Sequence, residues 1–277
     1  MLSTDILTYI VSFILGSVVG SFLNVCIYRI PREESIVHPG SHCTSCGSPI
    51  RFYNNIPILS YFFLKGRCTD CGANISKIYP IVELITGLLF FATVYYFGIT
   101  IEALFYLILF SALLVITFID IEHLIIPNVI TYPGILVGLV FGALRTNLET
   151  SLSALESFSV SFYNFFELLR QVPILDSIFG IIVGGAVLLI VALIYQAYKK
   201  RQGIGIGDVK LLAMIGAFFG WEGVLFTIFL ASIVGSAVGI SIIIAQKGDL
   251  KYQMPFGPFL SIAAVIYAFT GGFKLFL

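Results

Sequence analysis

Long hydrophobic runs alternate with short polar segments along most of the chain. A helix of about 17 to 25 apolar residues can cross the hydrocarbon core of a bilayer. Seven runs have this length, namely residues 6–28, 81–97, 103–119, 124–144, 177–198, 223–246 and 254–273. An eighth run, residues 208–221, is shorter. We therefore predict an all-α polytopic membrane protein with about eight transmembrane helices.

The short run needs its own interpretation. Fourteen residues, 208–221, make a helix of about 21 Å at a rise of 1.5 Å per residue, which is less than the bilayer core of about 30 Å. Either this helix stops short, or its first residue, Asp208, lies below the membrane surface. A second irregularity is expected at residues 124–144, where Pro127 and Pro133 disturb the start of the helix.

Two polar segments differ from ordinary connections. Residues 29–80 form a long loop between the first two runs, and residues 146–176 carry aromatic side chains at helical spacing. The second pattern favours a helix lying in the membrane interface over one crossing it. The predicted domains are a first transmembrane helix (1–28), a loop domain (29–80) and a membrane core (81–277).

The composition supports a membrane protein. Hydrophobic residues make up 58% of the chain and charged residues 11%, with a mean hydropathy of +1.03. The net charge of zero argues against a nucleic-acid partner and leaves membrane lipid as the expected surroundings. The first run has neither a basic segment before it nor a small-residue cleavage site after it, so we expect a permanent span.

Basic residues are concentrated in alternate loops, which predicts the orientation. They lie in residues 29–79, 199–201 and 247–251. With eight spans all three loops share one side, which is therefore cytoplasmic, and both termini lie outside. Asp120 and Asp208 then both lie at the cytoplasmic side.

Four of the five cysteines form two Cys-x2-Cys pairs in the loop domain, Cys43, Cys46, Cys68 and Cys71. Two such pairs can complete a closed tetrahedral Zn²⁺ site, which is structural because no coordination position stays open. Disulfides are the alternative, and a reducing cytoplasm disfavours them. His38 and His42 are near enough to act as ligands, but with four cysteines present we expect them not to bind.

Two aspartates stand at the ends of predicted helices. Asp208 follows the spaced glycines Gly205 and Gly207, and Asp120 closes the run 103–119. An ionisable group at the edge of a membrane helix is costly and is a candidate functional residue. The alternatives are an N-cap for Asp208 and an ordinary charged helix end for Asp120.

The ordered motifs of the chain resemble those of the type IV prepilin peptidases. The matching stretches are Asp120-x5-Ile126-Pro127-Asn128, Gly205-x-Gly207-Asp208-x-Lys210, residues 20–29, the cysteine pairs, residues 55–60, and Tyr79-Pro80-x2-Glu83. The Gly-x-Gly-Asp run is also similar to that of presenilin-like intramembrane proteases. The resemblance covers nearly the whole chain. It leaves only the long segment 146–176, predicted to lie on the outer side of the membrane, unmatched.

This resemblance implies a bifunctional inner-membrane enzyme. It would remove the leader of type IV prepilins, or of type II secretion pseudopilins, and then methylate the new N-terminus with S-adenosylmethionine. Asp120 and Asp208 would be the catalytic pair, and Gly205, Gly207 and Lys210 would position the substrate. Two nearby carboxylates tend to share one proton, so one can activate water while the other polarises the scissile carbonyl. Which aspartate plays which part stays open.

Several residues keep alternative interpretations. No sequence feature locates the methyl donor, and Glu83 could bind the substrate amine or pair with a basic loop residue. Asn24 is expected to make a helix–helix hydrogen bond, and Cys26 to pack in the interior. A transporter using Asp120 and Asp208 as a proton or cation relay is the main alternative function. Spans nearly free of other polar residues argue against it.

Overall fold

The computed structural model describes residues 2–146, 162–199, 205–245 and 254–271. Within these ranges every regular element is a helix, and strand pairing is limited to two isolated bridges in the cysteine loop. The chain forms two compact units, Met1–Ile119 and Asp120–Leu277. The boundary lies inside a helix, immediately before Asp120.

The first unit contains three membrane-length helices and the polar loop. They are α1 (Leu2–Arg29), α3 (Ile78–Phe97) and most of α4 (Ile101–His123), while the loop carries the short α2 (Leu59–Phe63). Helices α1 and α3 pack closely because small residues line their contact. A side chain on Gly20 would place its Cβ only 2.7 Å from the Cα of Glu83.

The second unit is arranged around one long helix. Its helices are α5 (Asn128–Arg145), α6 (Phe162–Gln171), α7 (Pro173–Lys199), α8 (Ile206–Ala245) and α9 (Gly257–Thr270). Helix α8 packs against α5, α7 and α9. Its first half is the most buried part of the unit, with Leu211, Leu212, Met214 and Ile215 fully buried. The first half of α8, which carries Asp208, therefore packs against α5 and α7.

Helix α8 is broken at Gly220. This residue has φ 67° and ψ −169°, a conformation that a side chain would strain. The N–H of Trp221, which the break frees from its helical partner, donates a hydrogen bond of 3.3 Å to the Asp176 carboxylate. The break falls where the sequence predicts the end of the short run 208–221.

Six described helices are long and apolar enough to cross a membrane. They are α1, α3, α4, α5, α7 and α8, whereas α9, at 14 residues, is shorter. The prediction of an all-helical, multi-span protein is confirmed for the described residues. The count of about eight spans stays a prediction. It requires that each half of α8 counts as one span and that α9 counts as another.

The outer segment also contains a helix. Helix α6 covers Phe162–Gln171, and its buried residues Leu168 and Leu169 face the interior of the second unit. Residues 147–161 of the predicted interfacial segment lie outside the described residues. Its position in the membrane interface stays a prediction.

Candidate aspartate and metal sites

Asp120 lies one turn before the end of α4 and is almost completely buried, with 5% of its surface exposed. The helix stops just after it, where Leu124 takes the left-handed φ of 55° and donates its N–H to the Asp120 carbonyl at 2.9 Å. The carboxylate is thus a buried charge at the last turn of a membrane helix. Such a group needs a polar partner inside the protein.

The partner of Asp120 is a backbone N–H at the start of α9. Gly257 donates to Asp120 Oδ2 at 3.0 Å. The first N–H groups of a helix lack intrahelical acceptors and carry the positive end of its dipole, so they stabilise a carboxylate. A Cβ on Gly257 would lie 2.7 Å from the same oxygen. Only glycine at this position lets the amide come so close without displacing the acid.

The sequence analysis missed Gly257. Its one available signal was the run Pro255-Phe256-Gly257-Pro258, in which the Gly-Pro pair marks a turn. Nothing in that run indicated a contact with a residue 137 positions earlier. The contact exists because α9 begins beside the end of α4.

Asp208 is the third residue of α8 and is partly buried. Its N–H donates to the Gly205 carbonyl at 3.1 Å, which closes the first turn of the helix. The carboxylate stays next to this turn, since one of its oxygens lies 3.3 Å from the position of a Cβ on Gly205. A carboxylate in the first turn is favoured by the helix dipole. The N-cap interpretation is wrong, because Asp208 lies inside the helix and the position before its first residue is Gly205.

The fold brings the two aspartates together around Ile126. The side chain of Ile126 lies against Gly207, where a Cβ would be 2.8 Å from its own Cβ, and its Cδ1 lies 3.4 Å from the Cβ position of Gly257. One isoleucine therefore contacts the neighbour of Asp208 and the hydrogen-bond donor of Asp120. The two carboxylates are close enough for their charges to interact. A pair in this arrangement can share a proton.

Lys210 links the two aspartate motifs. Its Nζ donates a hydrogen bond of 2.8 Å to Asn128 Oδ1 and lies 5.3 Å from the centre of the Tyr132 ring. Asn128 is the last residue of the Asp120 motif, and Lys210 is the last residue of the Asp208 motif. The contact therefore joins the start of α5 to the start of α8, beside the aspartates.

The four predicted zinc ligands converge in the loop of the first unit. All four Sγ atoms lie within 4.8 Å of one another, and those of Cys43 and Cys71 are 3.9 Å apart. Zn–S bonds of about 2.3 Å in a tetrahedron need sulfurs about 3.8 Å apart. The residues therefore fit a four-thiolate metal site. No histidine belongs to this group among the described residues.

The two cysteine pairs lie on matching turns. Gly47 donates its N–H to the Cys43 carbonyl at 2.8 Å, and Gly72 does the same to Cys68 at 3.0 Å. Both glycines have positive φ, 73° and 71°. The repeated turn explains why a glycine follows each pair, because a side chain there would be strained.

The close sulfur atoms shift one another's pKa values in opposite directions. A bound divalent cation would favour the thiolate form of all four cysteines. Hydrogen bonds from Ser48 lower the pKa of Cys46 to about 6. The backbone of Ala73 favours the Cys71 thiolate, yet hydrogen bonds to Cys46 and Cys68 raise its pKa to about 12. Four thiolates in one place need a metal ion to balance their charge.

Glu83 and Asn24 form a buried polar cluster within the first unit. Asn24 donates to the Tyr79 carbonyl at 3.0 Å, which is the predicted helix–helix hydrogen bond. Glu83 accepts the N–H of Ile58 at 2.7 Å, so its partner is a loop backbone amide. Among the described residues no basic loop residue pairs with Glu83, and binding of a substrate amine stays a prediction.

Two family profiles match the chain in order. One, described as the bacterial peptidase A24 N-terminal domain, matches residues 14–97, and the other, described as the type IV leader peptidase family, matches residues 107–240. The first match contains the four cysteines, and the second contains Asp120 and Asp208. No solved structure gave a significant match.

Curated relatives agree with these profiles. A protein of Pseudomonas putida named prepilin leader peptidase/N-methyltransferase is 34% identical over 93% of this chain and 89% of its own length. A protein of the same name from Neisseria gonorrhoeae is 32% identical over 91% of this chain and 87% of its own. The Myxococcus xanthus protein of that name is 40% identical over 84% of this chain, which spans only 62% of that relative. The resemblance predicted from the motifs is confirmed.

Proposed function

Because the chain belongs to the type IV leader peptidase family, we propose that it is a membrane aspartic endopeptidase that removes the leader peptide of type IV prepilins or pseudopilins. We further propose that it methylates the N-terminal residue exposed by the cut, using S-adenosylmethionine. The name shared by its relatives supports both activities. The observation that carries the peptidase proposal is the placement of Asp120 and Asp208 around Ile126.

In the proposed reaction the two aspartates share one proton. The ionised carboxylate accepts a proton from water as the water attacks the scissile carbonyl. The protonated carboxylic acid donates a hydrogen bond to that carbonyl and later transfers its proton to the leaving amine. The Gly257 amide orients Asp120, since it holds one carboxylate oxygen and leaves the other for the reaction. Gly205 leaves room beside Asp208 for an extended substrate, the role proposed for it from its motif. The space beside Gly207 is filled by Ile126, so we propose that Gly207 positions the substrate indirectly, by letting Ile126 pack against the start of α8.

Lys210 acts indirectly in this scheme. Its ammonium group is bound to Asn128, so we propose that it positions the substrate by holding the two motifs together. Substrate contact by Lys210 itself would require this hydrogen bond to break.

The metal has a structural part in the proposal. Cys43, Cys46, Cys68 and Cys71 would hold one Zn²⁺, which would stabilise the loop domain and take no part in the peptide cut. Residues that bind the methyl donor are left unassigned. The domain boundaries 1–28, 29–80 and 81–277 and the count of about eight spans belong to the same proposal.

We also propose that the protein lies in the bacterial inner membrane with its active site toward the cytoplasm and its termini outside. The distribution of basic residues supports this orientation. The relatives' names give no support to the alternative of a proton- or cation-coupled transporter.

The test is mass spectrometry of a prepilin incubated with membranes containing this protein and S-adenosylmethionine. We expect loss of the leader and gain of one methyl group, and we expect both Asp120→Asn and Asp208→Asn to abolish the cut. Glu122→Gln is the matched control, because this exposed carboxylate lies two residues from Asp120 and pairs only weakly with His123, at 3.8 Å. It should cut normally.

Each result has a distinct meaning. Leader loss without the methyl group would contradict methylation alone. Cutting that survives in either Asn variant would contradict the aspartate mechanism. An uncut prepilin in the presence of folded, metal-loaded protein would contradict the proposed activity and reopen the transporter alternative.

A further inference from the structure

The polar loop between α1 and α3 contains a cluster of exposed apolar side chains. They lie in residues 52–63, called here the aromatic segment, and the described part of the chain leaves them uncovered. Their exposed fractions are 87% for Phe52, 48% for Ile56, 54% for Leu59, 69% for Phe62 and 82% for Phe63. Large apolar side chains left exposed in one short segment are typical of an interaction site.

Three of these side chains are presented together by α2. Leu59, Phe62 and Phe63 occupy positions i, i+3 and i+4 of this short helix, so they share one face. The opposite side of the helix is anchored, since Ser60 is buried and its hydroxyl accepts the N–H of Ile56 and donates to the Tyr53 carbonyl. The turn therefore has one fixed side and one apolar side.

The aromatic segment is held beside a membrane-spanning helix. Ile58, the residue before α2, donates its N–H to Glu83. Glu83 is the sixth residue of α3, about 7.5 Å along the helix from its start. Ile58 has φ 63°, an unfavourable conformation for a β-branched residue. The hydrogen bond from Ile58 to Glu83 stabilises this conformation and so fixes the position of the segment. Helix α2 thus lies alongside the first turns of α3.

The charged residues of the stretch 51–69, which contains the aromatic segment, have one sign, although the buried Glu83 binds Ile58 and Asp70 interacts with Arg51. Between Arg51 and Thr69 the chain carries Arg51, Lys65 and Arg67 and no acidic residue, and Lys77 precedes α3. Lys65, Arg67 and Lys77 are exposed. Basic residues next to exposed aromatic ones are typical of segments that bind an anionic membrane surface.

We propose that the aromatic segment is an interfacial membrane anchor. Leu59, Phe62 and Phe63 insert into the headgroup region of the leaflet at which α1 ends and α3 begins. Lys65 and Arg67 lie against anionic phospholipid headgroups beside them. The anchor holds the loop between the two cysteine pairs on the membrane, so that the metal site stays next to the bilayer. This proposal does not depend on the proposed enzymatic activity.

The experiment uses tryptophan as a depth probe. The chain has a single tryptophan, Trp221, so Trp221→Phe provides a silent background that keeps the backbone N–H bound to Asp176. Into it we would place Phe63→Trp or, separately, Phe62→Trp, and reconstitute the full chain into vesicles containing phosphatidylglycerol. Val37→Trp is the matched control, because Val37 is equally exposed at 68% but follows Glu33 and Glu34. Metal content would verify that each variant folds.

We expect the Phe62 and Phe63 probes to emit at shorter wavelength than the Val37 probe. Lipids spin-labelled near the headgroup should quench them strongly, and aqueous iodide should quench them weakly. With Lys65→Glu and Arg67→Glu added, the emission should shift back toward longer wavelength in anionic vesicles. In vesicles of phosphatidylcholine alone the same two changes should have little effect.

Two outcomes would overturn the anchor. If iodide quenches the Phe62 and Phe63 probes as much as the Val37 probe, and spin-labelled lipid does not, the aromatic segment lies in water. If their emission shifts only when prepilin is added, the surface binds a protein and not lipid. Neither outcome changes the cleavage test, so failure of this proposal is distinguishable from failure of the proposed function.

Discussion

The candidate metal site and the aspartate site are built in opposite ways. The four cysteines lie within residues 43–71, on two turns whose backbone hydrogen bonds are local, and they are exposed or partly exposed. The aspartate site draws on α4, α8 and α9, and its key hydrogen bond joins residues 137 positions apart. Asp120 at its centre is buried. A local site tolerates changes in helix packing, whereas a site made of distant helices should fail when their contacts shift by less than an ångström.

The largest expected effect is loss of the metal. A structural Zn²⁺ contributes about 10–16 kcal/mol of apparent binding free energy in small metal-dependent domains. Cys43→Ser with Cys46→Ser should therefore remove the metal and make the loop domain sensitive to trypsin at Arg51, Lys65 and Arg67. Metal analysis and limited proteolysis would measure this.

The same variant tests the independence of the two sites. Both aspartates belong to the second unit, so prepilin cutting should continue at a measurable rate without the metal. Cys26→Ser, which changes a cysteine outside the cluster, is the control and should keep its metal. Cutting that disappears in proportion to the lost metal would refute this independence.

The next largest effect is expected at Gly257. In Gly257→Ala the new Cβ would lie 2.7 Å from Asp120 Oδ2 and push the carboxylate away from the amide. Misplacing a catalytic group by about 1 Å can cost roughly 10²-fold in rate. The measurement is the cutting rate of a prepilin at saturating concentration.

Gly185→Ala is the matched control for this change, because no heavy atom lies within 4 Å of the added Cβ. It should cut at the normal rate. A normal rate for Gly257→Ala as well would mean that the bond between Gly257 and Asp120 does not position the acid.

A smaller loss is expected at Gly207. The Cβ of Gly207→Ala would lie 2.8 Å from the Cβ of Ile126, a branched atom that cannot rotate away. Overpacking of this kind costs about 1–3 kcal/mol, and we expect a loss of rate of about two- to tenfold if half of that reaches the transition state. Gly205→Ala should be milder, because its nearest neighbour, an Asp208 carboxylate oxygen, is already 3.3 Å away and needs to shift only slightly. The reverse order of the two variants would be evidence against the packing around Ile126.

The smallest effect is expected at the link between the motifs. Lys210→Met and Asn128→Ala each remove the hydrogen bond of 2.8 Å, and a partly exposed bond of this kind is worth about 1 kcal/mol. A double-mutant cycle on thermal unfolding should give a coupling of about that size. Additive effects would show that the contact does not couple the two motifs.

Prediction from the sequence succeeded where the signal was local. The spacing of Cys43, Cys46, Cys68 and Cys71 indicated a four-thiolate cluster, and the structure brings those sulfurs together. The glycines before Asp208 marked the start of a helix, and α8 begins at Ile206. Each of these signals depends on residues close together in the chain, because turns and helix starts are set by their own side chains and backbone.

Gly257, and the contacts of the motif residue Ile126, show what the sequence could not indicate. Both are ordinary residues in an apolar chain, and each matters only through a partner far away in the sequence. Hydrophobic periodicity reports that a helix is buried but not which helix it meets. The exposed aromatic segment was missed for a similar reason, since exposure is known only after the loop is packed.

The sequence by itself determined the helical membrane class, the family, the cluster of four cysteines and the two acids to test. Each of these depends on composition or on motifs a few residues long. Only the tertiary structure decided that Asp120 receives the Gly257 amide, that Ile126 contacts Gly207 and Gly257, and that Lys210 binds Asn128. Such contacts arise where helices from distant parts of the chain pack side by side, and their identity depends on shapes that no local pattern encodes.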